Sequence, residues 1–579
     1  MVKHIDLNGR CNGLRMKGIG CVLIIVGVVA VYWQTTGFSL VLADDINTII
    51  YLKAFTGSFS ANIINILTSP PAHVPYWMPV TMSTYLLDYT IFGINPQWHH
   101  LTSLLLHGIT GVLLFLVLQI MTRAPFRSFL VALLWAVHPL NVASVAWLAG
   151  RSSIISTLFL VVAIGFYAGY VNTRRLMFYC LALLCFLLGL LSKPSVIYFP
   201  LFLVILDYWP LGRYGHAAGN RLHCRRLIVE KLPFFLISAL WVTGTFYFFH
   251  STSFAAPSID HGLNPVVYFN GFVSLAAYIW KFFLPTGLPL YTPPVSEAHL
   301  RSLWLIAGAA VAMGLLAALV IGKRKPYPYL LTGGFIFLVS LLPHLGICIG
   351  QQQLIIERYA YVPVIGLCLI VVWGVGGLLA RYRLKAAGGY IVISAMLVLY
   401  AAMAWTQTKH WKDSEHYFRH AVAINPGSAR TYANFGEVLF NAGKTGPAIE
   451  AFHKAIDINP KDAVAHHDLG LALSRAGDPA QALMHYQTAL AIDPDYPEAH
   501  SNLANLLADM GGIDEAIRHY QAALSIDPSL YQVHNNLAIV LVQKGDMDTA
   551  VAHLRKALSI NPGYEKAREN LQHLLNGRH

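Results

Sequence analysis

Five prolines, Pro426, Pro460, Pro494, Pro528 and Pro562, stand 34 residues apart in four equal intervals. That period is the length of the tetratricopeptide helical hairpin, a pair of antiparallel helices that buries its apolar face only by stacking on its neighbours. Proline donates no backbone hydrogen bond, so each of the five closes a second helix. Other positions recur in step. The first full unit carries Tyr432, Phe435, Gly436, Ala448, Phe452 and Ala455; the second carries His466, Leu469, Gly470, Ala482, Tyr486 and Ala489. Leu503, Ala504, Ala516, Tyr520 and Ala523 continue the pattern, followed by Leu537, Ala538, Ala550, Leu554 and Ala557. The spacing predicts full repeats at 429–462, 463–496, 497–530 and 531–564, a half repeat at 411–428 and a polar capping helix at 565–579. Four units exceed the roughly three that such an array needs to bury a core.

The residues before the repeats have a different character. A chain that is 56% hydrophobic and 12% charged overall, with an acidic and ordinary-looking repeat region, must concentrate its apolar residues in the first part. Residues 1–410 hold 26 Lys/Arg against 9 Asp/Glu, whereas 411–579 hold 14 against 19. The basic excess therefore belongs to a membrane domain, where loop topology accounts for it, and no nucleic acid is expected as a partner. Apolar runs of spanning length occur near 18–41, 98–121, 128–147, 152–171, 175–192, 194–209, 231–250, 302–322, 328–347, 359–380 and 388–408, eleven in all. The fold class is all-α: a polytopic helical membrane domain over 1–410 followed by a tetratricopeptide α-solenoid over 411–579.

Lys and Arg cluster at alternate ends of these runs, as at Arg123 and Arg127, Arg174 and Arg175, Arg213 to Lys231, Lys323 to Lys325 and Arg381 to Lys385. They fall on one side if 266–284 lies in the interface instead of crossing, which puts the amino end in the cytoplasm and the solenoid outside. The first run, 18–41, reads as an uncleaved anchor. The seven cysteines all precede the repeats and form no CxxC pattern, so neither a disulfide framework nor a metal knuckle is indicated.

Acids are scarce in the membrane domain, which draws attention to Asp44 and Asp45, directly after the first span. A carboxylate there could take a proton from an acceptor hydroxyl or hold a divalent metal, or cap a short helix starting near Ile46. Arg151, Lys193 and Arg358 sit at the outer ends of spans against the positive-inside trend, an arrangement that suits a lipid phosphate and also simple snorkelling. His100, His138 and Glu357 add polar groups near the same surface. No HExxH spacing, GxxxxGK[ST] loop, GxGxxG turn or GxSxG elbow is present, so an ATP-driven pump and a serine hydrolase lack support.

Six segments carry a resemblance: ADD at 43–45, PVTMSTYLLDYTIFG at 79–93, WHHLTSLLLHGITGVLLFL at 98–116, HPLNVASVAWLAGRSS at 138–153, GLLSKPSVIYFPLFLVILDYWPLGR at 189–213 and ERYAYVPVIGL at 357–367. In this order, with the solenoid appended, they resemble the transmembrane-and-tetratricopeptide-repeat protein O-mannosyltransferases and their bacterial relatives, within the C-type lipid-donor glycosyltransferases. The resemblance implies a polyprenyl-phosphate sugar as donor, a protein or peptide hydroxyl as acceptor, Asp44 or Asp45 as base, phosphate contacts from Arg151, Lys193 and Arg358, inversion at the sugar, and no nucleotide; no cofactor is expected beyond a divalent metal that the carboxylates could hold. Three positions depart from the family pattern: Met78 replaces an arginine, Asn141 a histidine and Ala143 a glutamate. These losses bear on donor and acceptor choice, and mannose does not carry over.

At the sixth position of each repeat stand Asn434, Asp468, Asn502 and Asn536, on the helices that line the concave face. Amides spaced up a groove can grip an acceptor peptide's backbone, and they also serve packing at this position. Almost no linker separates the last span from the half repeat, which predicts that the span or its extension serves as the missing first helix. The expected location is a bacterial cytoplasmic membrane with the repeats on the periplasmic side, the endoplasmic reticulum membrane being the alternative. The rival readings are a transferase acting on lipid or glycan, a non-catalytic scaffold for envelope or secretion assembly, and a transporter.

Overall fold

The computed structural model describes residues 7–41, 45, 48, 51–52, 57–68, 77–214, 221–251, 265–288, 327–345, 356–383 and 386–576. The chain divides into two compact units, Met1–Tyr417 and Phe418–His579. Both are built of helices, and no strand occurs among the described residues.

In the first unit, proline repeatedly opens the helices. Pro79–Phe92, Pro96–Thr122, Pro125–Ala136 and Pro363–Arg381 each start on one, where its missing N–H has no helical partner to lose. Among the described residues six helical stretches are long and apolar enough to cross a membrane: Lys17–Gly37, Pro96–Thr122, Leu148–Thr173, Arg225–Thr245, Pro363–Arg381 and Gly388–Trp411. The runs expected at 175–192, 194–209 and 328–347 correspond to the shorter apolar helices Leu176–Ser192, Pro194–Tyr208 and Pro328–His344, and 302–322 lies outside the described residues. The run expected as one straight span at 128–147 is two helices, Pro125–Ala136 and Pro139–Ala146, bent by 56°. The reason is local. Pro139 forces its predecessor out of the helical region, and His138 is extended at φ −71°, ψ 132°.

Helix Pro96–Thr122 is the hub of this unit, packing on Leu7–Tyr32, Pro125–Ala136 and Arg151–Thr173. At one end of the unit a buried polar cluster joins three elements. Arg213 donates from Nη2 to Glu230 at 2.7 Å and from Nη1 to Asp207 at 3.2 Å, Lys231 pairs with Asp207, and the Tyr167 hydroxyl donates to Asp207 at 3.1 Å. Asp207 has no exposed surface. The sequence reading places Arg213 and Lys231 among the loop charges; in the structure they are buried counter-charges.

The second unit contains the four hairpins, Ala429–Asn441 with Thr445–Ile458, Ala463–Ala476 with Pro479–Ile492, Pro497–Asp509 with Ile513–Ile526, and Tyr531–Lys544 with Met547–Ile560, then the helix Glu565–Asn576. The turn inside each hairpin passes through Gly443, Gly477, Gly511 or Gly545, all at φ between +76° and +90°, a region that penalises a side chain. Phe452 and Tyr486 fill the space left by Gly436 and Gly470, where a Cβ would come within 2.6 Å and 2.9 Å of their rings.

Three hairpins share a further device. His466 faces His485, His500 faces His519 and His534 faces His553, with Nδ1 atoms 3.0, 2.9 and 2.9 Å apart. The first ring of each pair reaches the carbonyl of Pro460, Pro494 or Pro528 through Nε2 at 3.2, 3.0 and 3.3 Å. A carbonyl only accepts, so that nitrogen carries the proton. The closing helix repeats the bond with Arg568, an obligate donor, to the Pro562 carbonyl at 2.6 Å. Each neutral pair is thus held by one shared proton between its Nδ1 atoms.

Candidate active site

One short stretch, 147–153, organises the polar residues that the sequence singled out. It follows the bend at His138–Pro139 and passes through the turn Leu148–Gly150 into helix Arg151–Thr173. Gly150 is required there: a Cβ would lie 2.7 Å from the Ala143 carbonyl and 2.8 Å from that of Ser144. Alternate residues then meet four different partners.

Trp147 presents its ring to Arg358, whose guanidinium carbon is 4.9 Å from the ring centre. The Ala149 N–H donates to Asp45 Oδ1 at 2.9 Å, and Asp45 Oδ2 accepts from the Val41 N–H at 3.0 Å. Asp45 has no exposed surface, and with both oxygens on backbone donors it acts as a clamp between the end of the first span and this turn. Asp44 lies outside the described residues. Arg151 turns inward, pairing with Asp88 at 2.7 Å and donating to Ser103 Oγ at 3.1 Å and the His99 carbonyl at 2.6 Å, its guanidinium 4.6 Å from the centre of the Tyr85 ring. It is fully buried. Where a donor phosphate is expected at Arg151, the structure shows its donors on helix Pro96–Thr122 and Asp88. Ser153 accepts a 2.7 Å hydrogen bond from Lys193 Nζ.

Lys193 and Arg358 converge on Tyr359, at 5.3 Å and 5.4 Å from its ring centre, and His344 stacks on the same ring at 3.8 Å. Lys193 makes no ion pair with a carboxylate among the described residues. Two like charges over one ring repel each other, and an anion between them would relieve that repulsion. Glu357 precedes Arg358, is fully buried, and its carboxyl oxygens have no hydrogen-bond partner among the described residues.

The remaining expectations fare differently. His138 is engaged at the bend: Nδ1 accepts from the Leu140 N–H at 3.1 Å, Nε2 meets the Phe282 carbonyl at 3.1 Å, and the ring is packed by Phe282 and Tyr400. Both nitrogens serve the bend. His100 is buried beside Phe38. In the solenoid, His467 donates to Asp468 at 2.9 Å and accepts from Asn502 at 2.8 Å, while Asn536 donates to Asn505 at 3.1 Å. These side chains form a ladder between units, and Asn434 is half-buried at its start. Sequence reasoning missed Ser153, His344 and Tyr359. Only the quoted segments WLAGRSS and ERYAYVP hinted at two of them.

The tetratricopeptide repeat family matches residues 429–495 and 473–538, and a family described as the Est1 DNA/RNA binding domain matches 516–577, over the last hairpins and closing helix. The larger part of the chain finds its likeness among curated proteins. It is 24% identical over 438 residues to protein O-mannosyl-transferase TMTC4 of Mus musculus, covering 67% of this chain and 58% of that one. It is also 24% identical over 419 residues to protein O-mannosyl-transferase TMTC1 of Homo sapiens, covering 64% and 47%. Over about two thirds of its length the chain is thus similar to these protein O-mannosyl-transferases. It spans about half the length of the curated relatives it matches. Solved structures similar to part of the chain include the crystal structure of MamA (25% identity, 26% of this chain and 88% of that one, TM-score 0.24) and that of YrrB, a TPR protein with an unusual peptide-binding site (21%, 34% and 97%, 0.25). Against the O-mannosyltransferase pattern, the departures Asn141 and Ala143 are both fully buried, and Asn141 donates to the Trp135 carbonyl at 2.6 Å.

Proposed function

We propose that the chain is an integral-membrane glycosyltransferase that moves a sugar from a polyprenyl-phosphate carrier to a Ser/Thr hydroxyl of a protein, on the external face of the membrane. The observation that carries this reading is the 147–153 stretch, which ties the clamp Asp45 to the cations Lys193 and Arg358. Lys193 and Arg358 hold the donor phosphate; Asp44, next to the clamp, is the base. The acceptor hydroxyl gives its proton to the Asp44 carboxylate as its oxygen bonds to the anomeric carbon. The bond from that carbon to the phosphate oxygen breaks, the phosphate leaves with the electron pair, and configuration inverts. A phosphate leaving group stabilised by two cations needs no nucleotide. The solenoid recruits the acceptor through the concave ladder of Asp468, Asn502 and Asn536, with Asn434 at its start.

The test is transfer of sugar to co-expressed external proteins, read by intact mass, which also names the sugar class. Asp44→Asn should abolish the added mass while the protein still folds and inserts. Asp45→Asn should lower both transfer and thermal stability, because it weakens a buried clamp. Full transfer by Asp44→Asn would remove the proposed base. A second reading, a non-catalytic scaffold, is favoured by Asn141 and Ala143 standing where the family pattern carries charge. It predicts no added mass with the wild-type chain either, and unchanged partner capture by Asp44→Asn.

A further inference from the structure

At the basic end of the first unit a cavity of about 510 Å³ opens between three helices. Leu176, Val229 and Pro233 form an apolar wall, Tyr170 and Tyr179 an aromatic one, and Arg225, Arg226 and Glu230 line the rest. The cavity lies where helix Arg151–Thr173 ends, Leu176–Ser192 begins and the membrane-length stretch Arg225–Thr245 begins. Helix ends of that length lie at the level of lipid headgroups.

Charge at the cavity does not balance. Glu230 is its single carboxylate, and it is already held by Arg213 at 2.7 Å, Arg226 at 3.2 Å, Arg174 at 3.6 Å and the Tyr170 hydroxyl at 3.2 Å. Its backbone carbonyl accepts from the Tyr179 hydroxyl at 2.8 Å, which fixes the aromatic wall. Arg225 is exposed and has no ion pair or side-chain hydrogen bond among the described residues. The side chains of Arg174 and Arg226 are 45% and 59% exposed, so donors on both remain accessible.

We propose that this cavity binds the headgroup of an anionic phospholipid, its phosphate on Arg225 and Arg226 and the start of an acyl chain on Leu176, Val229 and Pro233. Guanidinium groups grip phosphate oxygens through paired N–H donors, and basic pockets between membrane helices recognise anionic headgroups in this way. A choline headgroup would bring a further cation among the arginines, so phosphatidylglycerol is preferred over phosphatidylcholine.

Native mass spectrometry of the purified full-length chain, with equimolar phosphatidylglycerol and phosphatidylcholine, tests the site. The wild type should retain the anionic lipid in excess, and Arg225→Gln should reduce that excess about fivefold, the scale of one basic residue near a membrane surface. Because Arg226 also holds Glu230, the second variant is Leu176→Trp, which fills the apolar wall without touching a charge and should likewise reduce retention. Equal retention of the two lipids by the wild type would overturn the proposal. So would an undiminished preference in both variants, or displacement of the lipid by millimolar inorganic phosphate.

Discussion

Two cation clusters in the membrane unit handle the same electrostatic problem in opposite ways. Arg213 and Lys231 are buried against Asp207 and Glu230 with tyrosine hydroxyls completing the bonds, so the cluster is balanced internally. Lys193 and Arg358 instead rest on Tyr359 and Trp147 rings, with a serine hydroxyl on Lys193. Ring faces attract a cation by about 0.5–1 kcal/mol at exposed sites, well short of what a carboxylate offers in a dry interior. A balanced cluster stabilises the fold; Lys193, held by a ring face and one hydroxyl with no carboxylate among the described residues, has capacity left for an incoming anion.

The contrast is open to direct attack. Asp207→Asn leaves Lys231 and Arg213 buried without their counter-charge and should cost about 3–5 kcal/mol, seen as a lower melting temperature of the purified chain. An unchanged melting temperature would break the comparison at its stronger end. Lys193→Gln should leave the melting temperature alone and cut sugar transfer by about ten- to a hundredfold, the worth of one hydrogen bond to a charged group. A stability loss like that of Asp207→Asn would make Lys193 structural. Gly150→Ala should destabilise by about 1–3 kcal/mol through the clash with the Ala143 and Ser144 carbonyls, and lower transfer with it. Normal transfer in a folded Gly150→Ala protein would detach the 147–153 stretch from the site.

The smallest effect per group belongs to the solenoid, where three hairpins are joined by histidine pairs and not by buried ion pairs. Burial pushes His485 down to about 4 and holds His519, His534 and His553 below the ordinary histidine range. A depressed folded value means that the unfolded chain binds more protons, so the stabilisation is full above about pH 6.5 and is lost as pH falls through the histidine range toward 4. A second proton on a pair would set two N–H groups against each other and remove about 1 kcal/mol per hydrogen bond. Hydrogen exchange across 463–560 in the full chain should therefore rise between pH 6.5 and 5, with 429–458, which has Tyr432 and Ala451 at the matching positions, changing less. Equal exchange in both stretches would deny the pairs any role.

The solenoid was largely legible because one period repeats its rules: proline after each second helix, glycine at each turn, small residues opposite Phe452 and Tyr486. The membrane unit repeats nothing, so its sequence showed which residues were polar and not whom they meet. Arg151 looked like an exposed cation at a span end, yet Asp88, 63 residues earlier, claims it. Arg213 and Lys231 counted only by sign in the topology argument, which cannot separate a loop charge from a buried one. The bend at His138 was available in the HPL triplet, but apolar content on both sides of Pro139 masked it as a single span. Ser153 and Tyr359 became visible only when the fold set them beside Lys193.

The alternation along Trp147, Ala149, Arg151 and Ser153 has an evolutionary corollary. Swapping any one of these side chains disturbs one partnership, whereas adding or deleting a single amino acid between Trp147 and Ser153 would misalign Arg358, Asp45, Asp88 and Lys193 together. Homologues should therefore vary in composition over this stretch while keeping its length fixed.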